Sequence, residues 1–220
     1  MGLPLAALAA LSLFGLGAEN QNFDNVVPPS LPPGWTQTLS GRGPAPNWET
    51  VRDGSAPSRP NVLVQSSTAS GPGSFPIAIF NLLVCRDADL SVKFRIEPSS
   101  GRIRTAGIVW RYQDERNYYL IHFSVEQQNI VLFRVENGRP RPIPIMGSKP
   151  GSVGISHELK TGQWYVAKIT VRGARIRVLF GNRMLFEAED DSLPSPGKTG
   201  LWTRGGTVVR FDDFRVDKNG

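Results

Sequence analysis

The chain has 220 residues, 40% of them apolar and 20% charged, with a formal net charge of +6. That is too apolar for a disordered chain, and the length suits one large domain or two small ones. A single Cys excludes an internal disulfide and a cysteine-built zinc site, and the separation of His122 from His157 excludes a helical zinc-binding pair.

Residues 3–16, LPLAALAALSLFGL, are almost wholly apolar, and no charge precedes Glu19. The run matches the apolar core of an export signal, is short for a membrane span, and ends in small residues near Gly17 and Ala18. It lacks the usual leading Lys or Arg. Residues 1–18 are therefore expected to be a signal peptide, with an uncleaved anchor as the alternative, and the protein to be periplasmic or extracellular. No later stretch is long and apolar enough to span a membrane, so no integral span is expected in the mature chain.

Residues 19–60 read as an extended segment packing onto a domain at 61–220. Four prolines in PPSLPPG (28–34) exclude helix. Residues 41–60 are rich in turns, and Trp35 and Trp48 each sit in a short strand. Residues 62–66, VLVQS, form the next strand. The cleanest alternation is 90–96, with Leu90, Val92, Phe94 and Ile96 on one face and Ser91, Lys93 and Arg95 on the other. Residues 105–112 and 118–124 are a hairpin around QDERN. Residues 129–136 follow, closed by the turn dipeptide Asn137-Gly138. A meander covers 163–171, 174–180 and 183–189, turning at Arg172-Gly173 and Gly181-Asn182. Residues 208–216 end the pattern, with Val209, Phe211 and Phe214 inward.

Ten to twelve strands and no helix, with Gly and Pro at roughly one residue in five, predict an all-β protein with two antiparallel sheets in a sandwich. The segments VLVQSS (62–67), AGIVWRYQDERNYYLIHFS (106–124), NIVLFRVENG (129–138) and GLWTRGGTVVRFDDFRV (200–216) sharpen this. The chain there resembles the laminin-G-like, concanavalin A-like sandwiches grouped with the 3-keto-disaccharide hydrolase family. Related bacterial proteins are labelled family-sixteen glycoside hydrolases. The resemblance implies a secreted jelly-roll sandwich whose concave sheet faces a carbohydrate. The E-x-D-x-x-E motif of family-sixteen glucanases is absent from this sequence. Glu187 with Glu189, and Asp87 with Asp89, share a strand face but look like strand-end charges rather than catalytic pairs.

The candidate ligand-binding residues are Trp110, Arg111, Tyr112, Tyr118, His122, Glu126, Arg134 and Trp202. Sugar rings stack their C–H faces on aromatic rings, while their hydroxyls bond to polar groups beside those rings. Here the aromatics lie near Arg111, Gln113, His122 and Arg204. Alternation puts Trp110 and Tyr112 on one face of their strand. It puts Tyr118, Leu120 and His122 on one face of the next, with Tyr119, Ile121 and Phe123 opposite; one of those faces must be core. His122 and Glu126 are the candidates for an acid or base, should the protein be catalytic. Asp212 and Asp213 fit either a structural calcium or ion pairs with Arg210 or Arg215; no other cofactor is expected. Cys85 reads as a buried apolar filler. The basic residues are dispersed, with no run of five, so nucleic acid is not expected as a partner. The leading expectation is non-catalytic binding of a poly- or oligosaccharide. The alternatives are a glycoside hydrolase acting on 3-keto-disaccharides or glucans, and an adhesion module binding protein.

Overall fold

The computed structural model describes residues 17–69 and 71–218. The apolar leader at 1–16 lies outside them. The described residues form sixteen strands and no helix. They are β1 (Ala18–Gln21), β2 (Trp35–Gly41), β3 (Trp48–Arg52), β4 (Asn61–Gln65), β5 (Ser74–Cys85), β6 (Ala88–Ile96), β7 (Thr105–Asp114) and β8 (Asn117–Ser124). The second half contributes β9 (Asn129–Glu136), β10 (Arg139–Pro142), β11 (Ile155–Ser156), β12 (Tyr165–Arg172), β13 (Arg175–Phe180), β14 (Arg183–Glu189), β15 (Gly197–Thr203) and β16 (Val209–Lys218). Segment 19–60 supplies an edge strand to each sheet.

The strands make two antiparallel sheets. Sheet A runs β14-β13-β12-β6-β16-β4-β3, with β1 also on β16; sheet B runs β10-β9-β8-β7-β15-β5-β2, with β11 also on β9. The chain passes repeatedly from one sheet to the other, as in a jelly roll. Strand β6 keeps the expected alternation, with Leu90, Val92, Phe94 and Ile96 buried. They meet the inner face of sheet B, where Phe94 and Phe123 have ring centroids 4.9 Å apart. Trp35, Phe80 and Phe214 close one part of this interior, and Trp48 packs on Phe211 in another. Cys85 is buried in the same interior, and burial pushes its thiol pKa up.

Phe211 and Phe214 are three residues apart yet both face inward. Simple alternation forbids this. A bulge between Asp212 and Arg215, with Asp213 at φ +47°, supplies the extra residue that restores the register. The turn at Asn137-Gly138 forms as expected, with both residues at positive φ. Strands β5 and β15 are additions to the expected set, and both are central in sheet B.

Candidate functional site

Sheet B carries a second hydrophobic cluster on its outer face, away from the sandwich interior. It comprises Ile77, Ile79, Val109, Tyr112, Tyr118, Leu120, Val135 and Trp202, with Phe75 and Phe133 packed against it. Its geometry follows from register. Ile77, Trp202, Gly107, His122 and Val131 are successive cross-strand partners on β5, β15, β7, β8 and β9. Gly107 is the gap in this row. A Cβ there would lie 3.1 Å from Trp202 Cε3 and 2.7 Å from the Ile121 carbonyl oxygen. The missing side chain lets the indole lie over β7 toward His122. The Trp202 and His122 rings are 6.5 Å apart. Phe75 stacks on Trp202 at 5.6 Å, and Phe133 meets His122 edge-on at 5.0 Å.

Sheet B is curled around this face. Ser40 on edge strand β2 and Pro140 on edge strand β10 line one cavity of about 180 Å³, together with Phe75, Tyr118, His122, Phe133, Trp202 and Arg204. These edges are six strand spacings apart, about 29 Å across a flat sheet at ~4.8 Å per strand. The outer face is therefore concave. The β7–β8 turn helps to close it: the Ser40 hydroxyl donates to the Glu115 carbonyl at 2.7 Å, and the Thr38 hydroxyl to the Glu115 carboxylate at 2.8 Å. Crowding on the concave side explains why outer-face rings are nearly as buried as the core.

The polar groups of this groove are under-partnered. His122 is 8% exposed, and its Nε2 has no hydrogen-bond partner among the described residues. Burial lowers its pKa to about 4; Glu126 pulls it back up and Arg204 pushes it further down. The imidazole is thus neutral at neutral pH. The indole N–H of Trp202 is buried beside the Tyr118 hydroxyl. Burial raises the Tyr118 phenol pKa, against the Ser40 hydroxyl and the Trp202 indole. Half-buried Arg204 donates from Nε to the Pro72 carbonyl at 3.3 Å and forms no ion pair among the described residues. No Asp or Glu lines the groove.

Of the expected ligand-binding residues, Tyr118, His122 and Trp202 converge here. Tyr112 is on the same face, tilted against Tyr118 at 5.9 Å, but outside the groove lining. Trp110 is not on that face. It is 2% exposed in the sandwich interior, stacked on Tyr119 at 5.4 Å. The alternation that paired Trp110 with Tyr112 breaks at Arg111, whose φ of +45° marks a bulge in the β7–β8 register. Arg111 itself is a structural tie. Its buried guanidinium donates to the carbonyls of Arg86, Gly173 and Leu193 and meets the Asp87 carboxylate at 3.3 Å. Arg134 sits on the inner side of β9, ion-paired to Asp190 at 2.7 Å and bonded to Ser192. Tyr119 donates to the same Asp190 carboxylate at 2.6 Å.

Glu126 braces the turn after β8, accepting from the Arg104 N–H at 2.9 Å and the Thr105 hydroxyl at 3.1 Å, and does not line the groove. Asp212 and Asp213 take different partners. The Asp212 carboxylate accepts from the N–H groups of Ser58 and Asp213, both at 2.7 Å, while Asp213 pairs with Lys93 at 2.6 Å. Among the described residues, no three His, Cys, Asp or Glu gather as a metal site. Arg210 and Arg215, the expected partners, instead pair with Asp53 and Glu97, and with Asp217. Ser40, Phe75, Phe133 and Pro140 join the groove without having been singled out in sequence. Phe75 lies in an apolar run without alternation, and Ser40 arrives only because the sheet curls.

No protein-family model matches the chain, and no curated protein matches it. Solved structures do. Carbohydrate binding module CBM66 from Bacillus subtilis aligns with a TM-score of 0.62 at 18% identity, over 83% of this chain and 94% of that one. The Bacillus licheniformis β-glucanase aligns at 0.60 and 11% identity, over 92% and 99%. A xylan β-1,4-xylosidase from Bacillus halodurans C-125 aligns at 0.56 and 16% identity, over 98% of this chain and 41% of that one. Identities this low speak to architecture and not to activity. The chain is a two-sheet, antiparallel jelly-roll sandwich, and it aligns with these three proteins over that architecture.

Proposed function

We propose that this protein binds a poly- or oligosaccharide in the concave groove of sheet B and performs no chemistry on it. The observation that carries the reading is the pairing of stacked rings with unpartnered polar atoms. Partly exposed Phe75 and Phe133 offer ring surface over a floor of buried Trp202 and Tyr118, and His122 Nε2 is buried with no partner among the described residues. A sugar supplies what each lacks: a C–H face for the rings and a hydroxyl for the imidazole. Breaking a glycosidic bond ordinarily calls for two carboxyl groups across the scissile bond, and the groove lining has none. A histidine with a pKa of about 4 is also poorly matched to proton transfer at neutral pH. Export through the apolar leader would place the groove where glycans are abundant, and recovery of the protein outside the cytoplasm tests that part.

The test is a glycan array followed by titration calorimetry, with micromolar to millimolar binding expected and no released sugar. Failure to bind any saccharide would overturn the reading. Turnover of 3-keto-disaccharides or glucans, lost in His122→Ala or Glu126→Ala, would replace it with the hydrolase reading. Capture of an envelope protein without saccharide binding would replace it with adhesion.

A further inference from the structure

We infer that the groove selects an acidic sugar, with the Arg204 guanidinium receiving the carboxylate of a uronic acid whose ring lies against Phe75. This rests on the saccharide-binding reading and goes further by assigning a charge to the ligand.

Arg204 follows directly after β15 and lines the groove. Arg95, Arg172, Arg177 and Arg210 on sheet A each hold a carboxylate at 2.8–3.4 Å, whereas Arg52, Arg139 and Arg183 form no ion pair among the described residues but do not line the groove. Arg134 on sheet B holds Asp190. Arg204 holds none. Its Nε bonds the Pro72 carbonyl, which fixes the plane of the guanidinium and leaves the two terminal nitrogens without an acceptor among the described residues. That free edge presents two parallel N–H donors, the geometry that receives a carboxylate bidentately. Glu126 is engaged by the Arg104 amide and the Thr105 hydroxyl and makes no ion pair with Arg204.

The surroundings reinforce this. No acid lines the groove, so the Arg204 charge is the one formal charge among its lining residues while His122 is neutral. Apolar walls keep water from screening that charge fully. A neutral ligand would partly desolvate the guanidinium and give it no counter-charge, whereas a carboxylate compensates it. His122 Nε2 and the rings of Phe75 and Phe133 would then hold the body of the same sugar.

The experiment compares matched ligands on the full protein by calorimetry: uronic acid oligosaccharides, the same oligosaccharides after carboxyl reduction, and sulfated neutral analogues. The uronate is expected to bind at least tenfold more tightly than its reduced form, with the preference shrinking as salt is raised. Arg204→Gln should bring that ratio close to one. Lys168→Gln, which removes an exposed charge on the other sheet, should leave the ratio as it is. Equal binding of uronate and reduced ligand overturns the acidic-sugar assignment while saccharide binding stands. Equal binding of uronate and sulfated analogue overturns the carboxylate assignment. Binding of none of the three, or of any glycan on the array, removes the underlying reading instead. A thermal melt of Arg204→Gln matching the parent excludes misfolding as the cause.

Discussion

The two outer faces of the sandwich use the same period-two strands to opposite ends. On sheet A, outward side chains satisfy one another. Arg177 faces its cross-strand partner Glu187 at 2.9 Å, Arg175 reaches Glu189 at 3.5 Å, Arg172 pairs with Asp89 at 2.8 Å, and Lys93 pairs with Asp213. On sheet B, the outward side chains are apolar and aromatic, and the His122 Nε2 among them lacks a hydrogen-bond partner among the described residues. A wet face with paired charges has little left to offer a ligand. A curled face with orphaned donors does, because binding completes interactions that folding left open.

The largest expected effect that would break this contrast is at Trp202. Trp202→Ala should cost about 3–5 kcal/mol of stability and abolish saccharide binding. Trp202→Phe keeps a ring, should fold, and should bind at least about tenfold more weakly, about 1.4 kcal/mol. Denaturant melts and calorimetry check both, and undiminished binding by either variant would show that the rings of sheet B are merely a second core.

A second test uses pH. The folded pKa of His122 is about 4, below its ordinary 6.5, because it is buried. The unfolded chain therefore takes up that proton first. Stability present above pH 6.5 is lost as pH falls toward 4, up to about 3 kcal/mol at 1.36 kcal/mol per pH unit. Asp212, fully buried on the sheet A side, has the opposite sign. Burial raises its pKa from 3.8 to about 6, with the Ser58 and Asp213 N–H groups opposing. The folded state takes up this proton first, so its contribution is complete below 3.8 and lost as pH rises through 6, again by about 3 kcal/mol. The two slopes nearly cancel. His122→Phe should unmask the Asp212 slope, so that chemical stability rises as pH falls from 6.5 to 4. A flat profile in that variant would contradict the Asp212 assignment, and a profile unchanged from the parent would contradict that of His122.

Smaller effects belong to sheet A. Asp53 is buried against Arg95 and Arg210, and Asp53→Asn should cost about 2 kcal/mol without changing saccharide binding. Arg177→Ala removes an exposed cross-strand pair and should cost no more than about 0.5 kcal/mol. Any loss of binding in these two variants would mean that the faces are coupled.

Strands with one wet and one dry face were legible in the sequence because alternation reports burial directly. Strand β6 shows this, as does the split of β8 into Tyr118, Leu120 and His122 against Tyr119, Ile121 and Phe123. Strand β5 was not legible. Most of it is buried on both faces, so SFPIAIF reads as a continuous apolar run, and Pro76 argues against a central strand. Strand β15, which carries Trp202, contains Gly197 and Gly200 and lacks a clean period. The site was half legible for the same reasons. Tyr118, His122 and Trp202 were found by residue type, while Trp110 and Arg134 were misplaced by a bulge and by the unknown direction of β9.

The sequence by itself determined that this protein is an all-β sandwich, because turn residues and period-two burial are local properties of the chain. The tertiary structure alone decided which aromatic rings face a ligand. The bulge at Arg111 turns Trp110 inward and Tyr112 outward. The gap at Gly107 lets Trp202 approach His122. The curl of sheet B brings Ser40 from one edge toward Pro140 from the other. Each of these depends on the pairing of strands distant in sequence, which local alternation does not encode.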